Sequence, residues 1–126
     1  MEQFFNYGDS GFEVRNEIIN AHRESWKAIS KAGSFWSGED RVQIATQARS
    51  ARLQRRELPF NRSHPPCSLS NDALEVTHTI AADAHKIDKG WADSLIAELG
   101  SGAYIEIASI VVTVSAIDAF SEALGR

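Results

Sequence analysis

The chain has 126 residues, a formal net charge of -4 and 43% hydrophobic residues, which is typical of one soluble globular domain. Its acidic balance argues against a general nucleic-acid-binding protein, because such proteins present a basic face. One cysteine excludes an intrachain disulfide and any zinc site built on several thiolates. No basic stretch followed by an apolar run opens the sequence, so we predict no signal peptide and expect a cytoplasmic location. The longest near-apolar run, residues 107–117, is too short to span a bilayer, so no membrane association is expected.

The first twelve residues predict a flexible lead-in, because Gly8 and Gly11 lie there among polar and aromatic neighbours. A helical domain is expected over residues 13–126. From about residue 13 to 31, apolar residues recur at steps of three and four, which predicts a first helix. Its inward stripe is expected to consist of Val14, Ile18, Ala21, Ser25 and Ile29.

A second helix is predicted to begin after Ser37, a suitable N-cap, and to end before Pro59. Its apolar seam is expected to consist of Ile44, Ala48 and Ala51, backed by Val42 and Ala45. Residues 58–69 contain all three prolines of the chain and predict a long loop.

Three further helices are predicted in the second half of the chain. Residues 70–72 supply cap chemistry for the third, the fourth covers about 88–99, and the fifth covers 101–124. The β-branched centre of the last segment could also form a strand, but its length and the lack of a second strand favour a helix. A helix that is apolar on most sides is expected to be central and buried. The sequence therefore predicts an all-α, single-domain bundle of about five helices.

Three motifs in this order resemble the alkylhydroperoxidase D-like and carboxymuconolactone decarboxylase-like superfamily. The first is Trp-x-Gly-x-x-Arg at residues 36–41, followed by an alanine-rich helix. The second is Val-x-His at residues 76–78, and the third is Tyr-Ile-Glu at residues 104–106 in a helix that ends in Ala-Leu-Gly. The resemblance implies an all-helical fold that usually oligomerises. It also implies further chain after this Ala-Leu-Gly in many relatives, so the end at Arg126 is expected to be a natural short form or a truncation.

In the redox members of this superfamily, the resemblance implies a Cys-x-x-Cys pair that reduces peroxides with help from a glutamate and a histidine. Every one of these positions is substituted when the count starts from the motif arginine, Arg41. Gln54 and Glu57 stand for the two cysteines, Val42 or Gln47 for the glutamate, and Asn61 for the histidine. We therefore expect a chain that has kept the fold and lost the dithiol chemistry.

Cys67 is the only thiol that could replace that pair. It follows His64 and two prolines, and an imidazole near a thiol can lower the pKa of the thiol. The stiff Pro-Pro step tends to hold the two side chains apart, and no second cysteine is present to form an intrachain disulfide. A loop thiol without a catalytic role is favoured over a one-cysteine peroxidase.

Glu75 and His78 form a Glu-x-x-His pair on the third helix, the spacing used by di-iron bundles. Such sites need two of these motifs, and the sequence has one. A histidine at the edge of the core, bound to a neighbouring carboxylate, is therefore favoured. His78 stays the candidate acid–base group, because its ordinary pKa lies near neutrality.

Charged residues on the apolar last helix need partners. Glu106 and Asp118 are costly to bury alone, so we predict that they pair with arginines of the second helix: Arg41, Arg49 or Arg52. A catalytic role for Glu106 is the alternative. The arginines between residues 49 and 62 are interpreted as a solvated helix end rather than as an anion-binding patch.

The leading hypothesis is a non-redox homologue of this superfamily that binds a ligand or forms an oligomer. The alternative is an enzyme, either a thiol peroxidase through Cys67 or a cofactorless decarboxylase-type enzyme through His78 and Glu75. No cofactor and no metal site are predicted. The expected partners are further copies of the chain, through apolar helices, with a small-molecule ligand as an open alternative and neither nucleic acid nor membrane.

Overall fold

The computed structural model describes Tyr7, Gly11 and residues 13–54 and 64–125. Within these residues the chain forms five α-helices and no strand, which confirms the predicted all-α class. The helices are α1 (Asn16–Ile29), α2 (Gly38–Gln54), α3 (Asn71–Ala82), α4 (Lys89–Leu99) and α5 (Ser101–Ala123). A short 3-10 turn, Ala84–Lys86, which the sequence pattern did not predict, follows α3. The predicted stop at Pro59 lies outside the described residues.

Local sequence signals set the beginnings of three helices. The side chains of Ser37, Ser70 and Asp88 each accept a hydrogen bond from the backbone N–H three residues later, at 3.0, 3.2 and 2.8 Å. Each bond satisfies one N–H group that the first turn of a helix leaves without a backbone partner. Gly100, with a φ of 91°, joins α4 to α5 in a backbone conformation that only glycine adopts readily.

The core lies where α5 packs against α2 and α3. Ile107, Ile110 and Val114 of α5 are at most 2% exposed and belong to one cluster with Ile44 of α2 and Val76 of α3. The predicted central place of α5 is confirmed, because it packs against each of the other four α-helices, but the expectation that it is buried all round is wrong. Its opposite face is open, with Ile105 59% and Val112 61% exposed. The other helices cover one side of α5 and leave the outer side bare.

The inward face of α1 differs from the predicted stripe. Ile18 and Ala21, assigned to that stripe, are exposed. The residues that contact the rest of the protein are Ile19, His22, Trp26 and Ile29. Ile29 of the predicted stripe is buried and Val14 packs against Tyr7 and Ile117, so the stripe is only partly wrong. Tryptophan and histidine bury a flat apolar body while keeping a polar atom bonded, and a count of aliphatic residues alone misses them.

Tyr7 anchors one point of the predicted lead-in to α1 and α5. It is fully buried, and its hydroxyl lies 2.6 Å from Nδ1 of His22. The Tyr7 and His22 rings each meet Phe120 of α5 edge-to-face, with ring centroids 5.1 and 5.0 Å apart. Burial lowers the pKa of His22 from its ordinary value of 6.5.

Candidate functional site

The candidate residues gather where the segment 64–68 lies against α2. Gln43 and Gln47, one helical turn apart, hold the two ends of this segment. Gln47 Nε2 donates to the carbonyl oxygen of Pro65 at 2.7 Å. Gln43 Oε1 accepts from the backbone N–H and the hydroxyl of Ser68, at 3.0 and 3.2 Å. Two uncharged amides of α2 therefore fix the chain on both sides of Cys67.

Gln47 also determines which protons His78 carries. A carbonyl can only accept, so the bond to Pro65 requires the amide nitrogen of Gln47 on that side and leaves Oε1 facing His78. Nε2 of His78 lies 2.9 Å from this oxygen and must donate its proton to it. Gln47 is 1% exposed. Nε2 of His78 is thus committed as a donor and is not the atom that could take a proton from a substrate.

His64 approaches the same place from the loop. Its Nδ1 donates to the Pro65 carbonyl at 3.0 Å, so that oxygen accepts two bonds. The His64 and His78 rings lie 5.6 Å apart, centroid to centroid, at 58°. We call His64, Pro65, Gln47 and His78 the amide network. It brings two imidazoles together, but within the described ranges no three His, Cys, Asp or Glu side chains could hold a metal ion.

Cys67 packs as a small apolar side chain. It is a half-buried free thiol that contacts the edge of the main core. The peptide on its N-terminal side is tied to Gln47 and the peptide on its C-terminal side to Gln43. The backbone around Cys67 is therefore held by amides, and the described contacts of the thiol are apolar.

Glu75 and His78 have different partners. Glu75 is exposed, and its Oε2 accepts from the indole N–H of Trp91 at 3.0 Å, which ties α3 to α4. The histidine was expected to bind a neighbouring carboxylate, but its described partner is the Gln47 amide. The sequence analysis names Gln47 only as a substituted relay position and does not predict its burial, because its side chain is polar, although it lies between Ile44 and Ala51 on the predicted buried seam.

The other positions that the resemblance marks are only partly described. Val42 is 40% exposed, so its predicted place in the apolar seam of α2 is wrong. Gln54 ends α2, and its Nε2 donates to the hydroxyl of Ser50 at 3.3 Å. Glu57 and Asn61 lie outside the described residues.

The motif residues Trp36, Arg41 and Glu106 contact one another. The Glu106 carboxylate accepts from the backbone N–H groups of Ser34 and Trp36, at 3.0 and 3.1 Å, and pairs with Arg41 at 3.3 Å. The indole N–H of Trp36 donates to the carbonyl of Ala103 at 3.0 Å. We call this set the Glu106 latch. It fastens the α1–α2 connection to α5. The first and third motifs of the resemblance, at residues 36–41 and 104–106, meet in it.

Arg41 and Gly38 complete the same joint. Nε of Arg41 donates to the carbonyl of Ile29, the last residue of α1, at 3.0 Å. Cations and donors at a helix C-terminus satisfy carbonyls that the helix leaves without a partner. A Cβ on Gly38 would collide with the carbonyl of Ser30, so the Trp-x-Gly-x-x-Arg pattern needs glycine there for close approach. These motif residues therefore stabilise the joint between α1 and α2 in this chain.

Two more ion pairs continue along α2 and α5. Arg49 binds Asp118 through two bonds of 3.0 and 2.9 Å, and Arg52 binds Glu122 at 3.1 Å. The prediction that Glu106 and Asp118 pair with arginines of the second helix is confirmed. At least two arginines of the 49–62 group are thereby used inside the fold, rather than presented to an anion.

An open groove runs beside α5, away from the amide network. One section, with a volume of about 510 Å³, lies between α5 and the α1–α2 connection. A second, of about 170 Å³, lies between α5 and α1. They share Arg41 and Ser109, and neither is lined by Cys67, Glu75 or His78. The predicted site residues are therefore not gathered around either section.

Comparisons of the chain with family models, with curated proteins and with solved structures give no match. The family therefore stays a prediction. It depends on the motifs at residues 36–41, 76–78 and 104–106, and the function is argued from the contacts described above.

Proposed function

We propose that the chain is a non-redox relative of the alkylhydroperoxidase-like proteins that forms oligomers. The observation that carries this proposal is the buried amide of Gln47, which is one of the two positions, with Val42, where the resemblance implies a relay glutamate. An amide cannot accept a proton near neutral pH, so it cannot pass protons as a carboxylate does. It instead makes two fixed hydrogen bonds, to His78 and to Pro65.

The contacts of Cys67 support the non-redox half of the proposal. A peroxidatic cysteine must be present as thiolate, so it needs a cation, a helix N-terminus or an imidazole to lower its pKa. The described neighbours of Cys67 are apolar core residues. The nearer imidazole in sequence, His64, donates to the Pro65 carbonyl. Among the described residues, these contacts give the thiolate form of Cys67 none of that support.

The same contacts disfavour an acid–base enzyme built on Glu75 and His78. Glu75 Oε2 accepts from Trp91, and Nε2 of His78 donates to Gln47. Among the described contacts Glu75 and His78 therefore do not bind each other, as a cooperating acid–base pair would. Neither section of the groove beside α5 includes these residues.

Exposed apolar side chains support the oligomer-forming half. Phe35, Ile105 and Val112 are each about 60% exposed. Phe35 and Ile105 line the groove, and Val112 lies two turns after Ile105 on the exposed side of α5. Large apolar residues clustered on one side are more typical of an interface than of a free surface.

Thiol-dependent peroxide consumption tests the non-redox assignment. The purified chain and its Cys67→Ser variant are compared with hydrogen peroxide and an organic hydroperoxide, in the presence of a dithiol reductant. We expect the two proteins to consume peroxide at the same rate as the reductant alone. Turnover by the unmodified chain that disappears in Cys67→Ser would refute the proposal.

A further inference from the structure

The outward face of α5 carries no charged side chain. After Ser101, its exposed residues follow alternating steps of four and three: Ile105, Ser109, Val112, Ala116, Ala119 and Ala123. We call these six residues the outer stripe. Surface helices normally turn charged and polar residues to water. A stripe of this composition, repeating over the 19 residues from Ile105 to Ala123, is typical of a helix that packs against another helix.

All charges of α5 are directed to α2. The helix has three charged residues, and they form the pairs Glu106–Arg41, Asp118–Arg49 and Glu122–Arg52. A charge that an occupant brought against the outer stripe would lose water and gain no opposite charge. The occupant with matching electrostatics is therefore an uncharged helix face, such as the outer stripe itself.

A lipid surface is the less suitable occupant. By length and composition α5 could cross a membrane, because it has 23 residues and a window of mean hydropathy 1.7, although core helices of soluble proteins pass the same test. Helices that lie on membranes carry lysine or arginine on their polar side, and α5 contains neither. One side of α5 also forms the core of the bundle.

We propose that two copies of the chain pair through their α5 helices in antiparallel orientation. This deepens the oligomer-forming function proposed above and rests on it. The steps of the outer stripe, 4-3-4-3-4, are the same in both directions. Reversing one helix therefore sets the stripes in register, with Ile105 opposite Ala123, Ser109 opposite Ala119 and Val112 opposite Ala116.

Side-chain size favours the antiparallel arrangement. The large residues Ile105 and Val112 lie in the first half of the stripe, and the three alanines lie in the second half. Antiparallel pairing sets each large residue against an alanine of the other copy. Parallel pairing would set Ile105 against Ile105 and alanine against alanine, which leaves a bulge at one end and a gap at the other. A two-fold pair uses the same patch twice, the commonest form of oligomer.

The groove beside α5 can receive the flank of the second helix. Ser109 lines both of its sections, and Ala28 and Ser25 of α1 line the second. The ring of Phe35 lies over Gly102 of α5 and is 61% exposed. The same face thus carries protruding side chains and a recess of small residues, as a self-complementary surface requires.

The size of the contact sets the affinity range to be tested. The first and last residues of the stripe lie about 27 Å apart along the helix, and a helix is about 10 Å wide, so the stripe offers a face of roughly 300 Å². This is below the roughly 800 Å² per partner of a standard stable interface, even before the groove is added. We therefore expect a weak dimer that dissociates at roughly micromolar concentration.

Sedimentation velocity over about 1 to 300 µM tests the pairing, since this range brackets micromolar dissociation. The unmodified chain is expected to shift from monomer to dimer. Val112→Asp should raise the dissociation constant at least about tenfold, because each dimer would bury two unpaired carboxylates. Val42→Asp is the matched control, since Val42 is 40% exposed on α2 and outside the stripe; it should leave the constant unchanged. A chain that stays monomeric at 300 µM, or a dimer equally sensitive to both variants, would overturn the proposal.

Disulfide cross-linking tests the orientation. In a Cys67→Ser background, a mixture of Ile105→Cys and Ala123→Cys chains should oxidise to a heterodimer faster than either chain alone forms a homodimer. Parallel pairing predicts the reverse and would overturn the proposal. Co-flotation of the monomeric chain with phosphatidylcholine vesicles would also overturn the proposal, because it would show that a lipid surface binds the outer stripe.

These outcomes are separate from the test of the redox assignment. A monomeric chain without thiol-dependent peroxide turnover would refute the pairing and leave the non-redox assignment standing. A dimer with Cys67-dependent turnover would refute the non-redox assignment and leave the pairing standing.

Discussion

Nε2 of His78 donates to Oε1 of Gln47 across 2.9 Å, inside the contact between α3 and α2. The other end of the same amide donates to the carbonyl of Pro65. Gln47 thereby joins two helices to the segment that carries Cys67. The resemblance implies a glutamate either here or at Val42, and glutamate differs from glutamine mainly in its charge and in its lack of donors. Replacing Gln47 with glutamate therefore tests what a carboxylate would do at this point.

Gln47→Glu should raise the pKa of His78 relative to the unmodified chain. The introduced carboxylate favours the imidazolium form at hydrogen-bond distance. It cannot donate to Pro65, so the hold on the segment 64–68 should weaken, and the free energy of unfolding should fall by about 1–3 kcal/mol for the buried bond that is lost. Two-dimensional NMR titration of the His78 ring protons measures the first effect, and chemical denaturation measures the second.

Gln47→Met separates charge from hydrogen bonding. It removes both bonds of the amide without adding a carboxylate, so it should destabilise the protein without raising the pKa of His78. If the titration midpoint of His78 moves equally in both variants, or in neither, the direct contact between the two side chains is wrong.

The ion pairs between α2 and α5 could be predicted from the sequence. Glu106 and Asp118 lie on an otherwise apolar helix, where an unpaired carboxylate is costly. The second helix contains several arginines that can pair with them. Arg41 pairs with Glu106, and Arg49 pairs with Asp118. Such a prediction succeeds because few residue types can neutralise a carboxylate away from water.

The amide network could not be predicted in the same way. Glutamine is polar and uncharged, and its amide can both donate and accept hydrogen bonds. Many residue types can therefore satisfy it, and its position on the buried seam of α2 does not predict one partner. The fold of the segment 64–68 brings the Pro65 carbonyl to Gln47, and no local pattern encodes that approach. The sequence does not predict which side of α5 stays open, for a related reason. Apolar character shows that a face avoids water, but not whether the same chain or another one covers it.

Glu106→Ala should destabilise the protein strongly. The side chains of Arg41 and Glu106 are only 16% and 13% exposed, and the substitution leaves the arginine and two backbone N–H groups without their acceptor. We expect a loss of roughly 3 kcal/mol in the free energy of unfolding, measured by urea denaturation.

Glu122→Ala is the control for the Glu106 latch. It breaks the pair between the Glu122 carboxylate, which is 30% exposed, and the guanidinium of Arg52. The loss should be about 1 kcal/mol or less. Equal losses in the two variants would show that the backbone bonds of Glu106 contribute little.

Glu75→Ala should have a small effect on stability and none on the titration of His78. The variant removes the acceptor of the Trp91 indole N–H, which is worth about 0.5–1.5 kcal/mol. Glu75→Gln keeps an oxygen at that place and should retain most of the stability. The indole N–H resonance of Trp91 and the His78 titration curve are read from the same NMR series. A shifted His78 midpoint in Glu75→Ala would favour the acid–base alternative.

His22 should make the protein less stable as the pH falls. Burial lowers the pKa of His22 below 6.5, so the folded state prefers the neutral ring. Its contribution to stability is therefore complete above about pH 6.5 and is lost as the pH falls through the lower folded value. The free energy of unfolding, measured from pH 7.5 to 5, should decline less in His22→Gln than in the unmodified chain. His85→Gln, at an exposed histidine of the turn 84–86, should keep the full decline. Parallel curves for all three proteins would mean that the contact between Tyr7 and His22 does not depend on the charge of the imidazole.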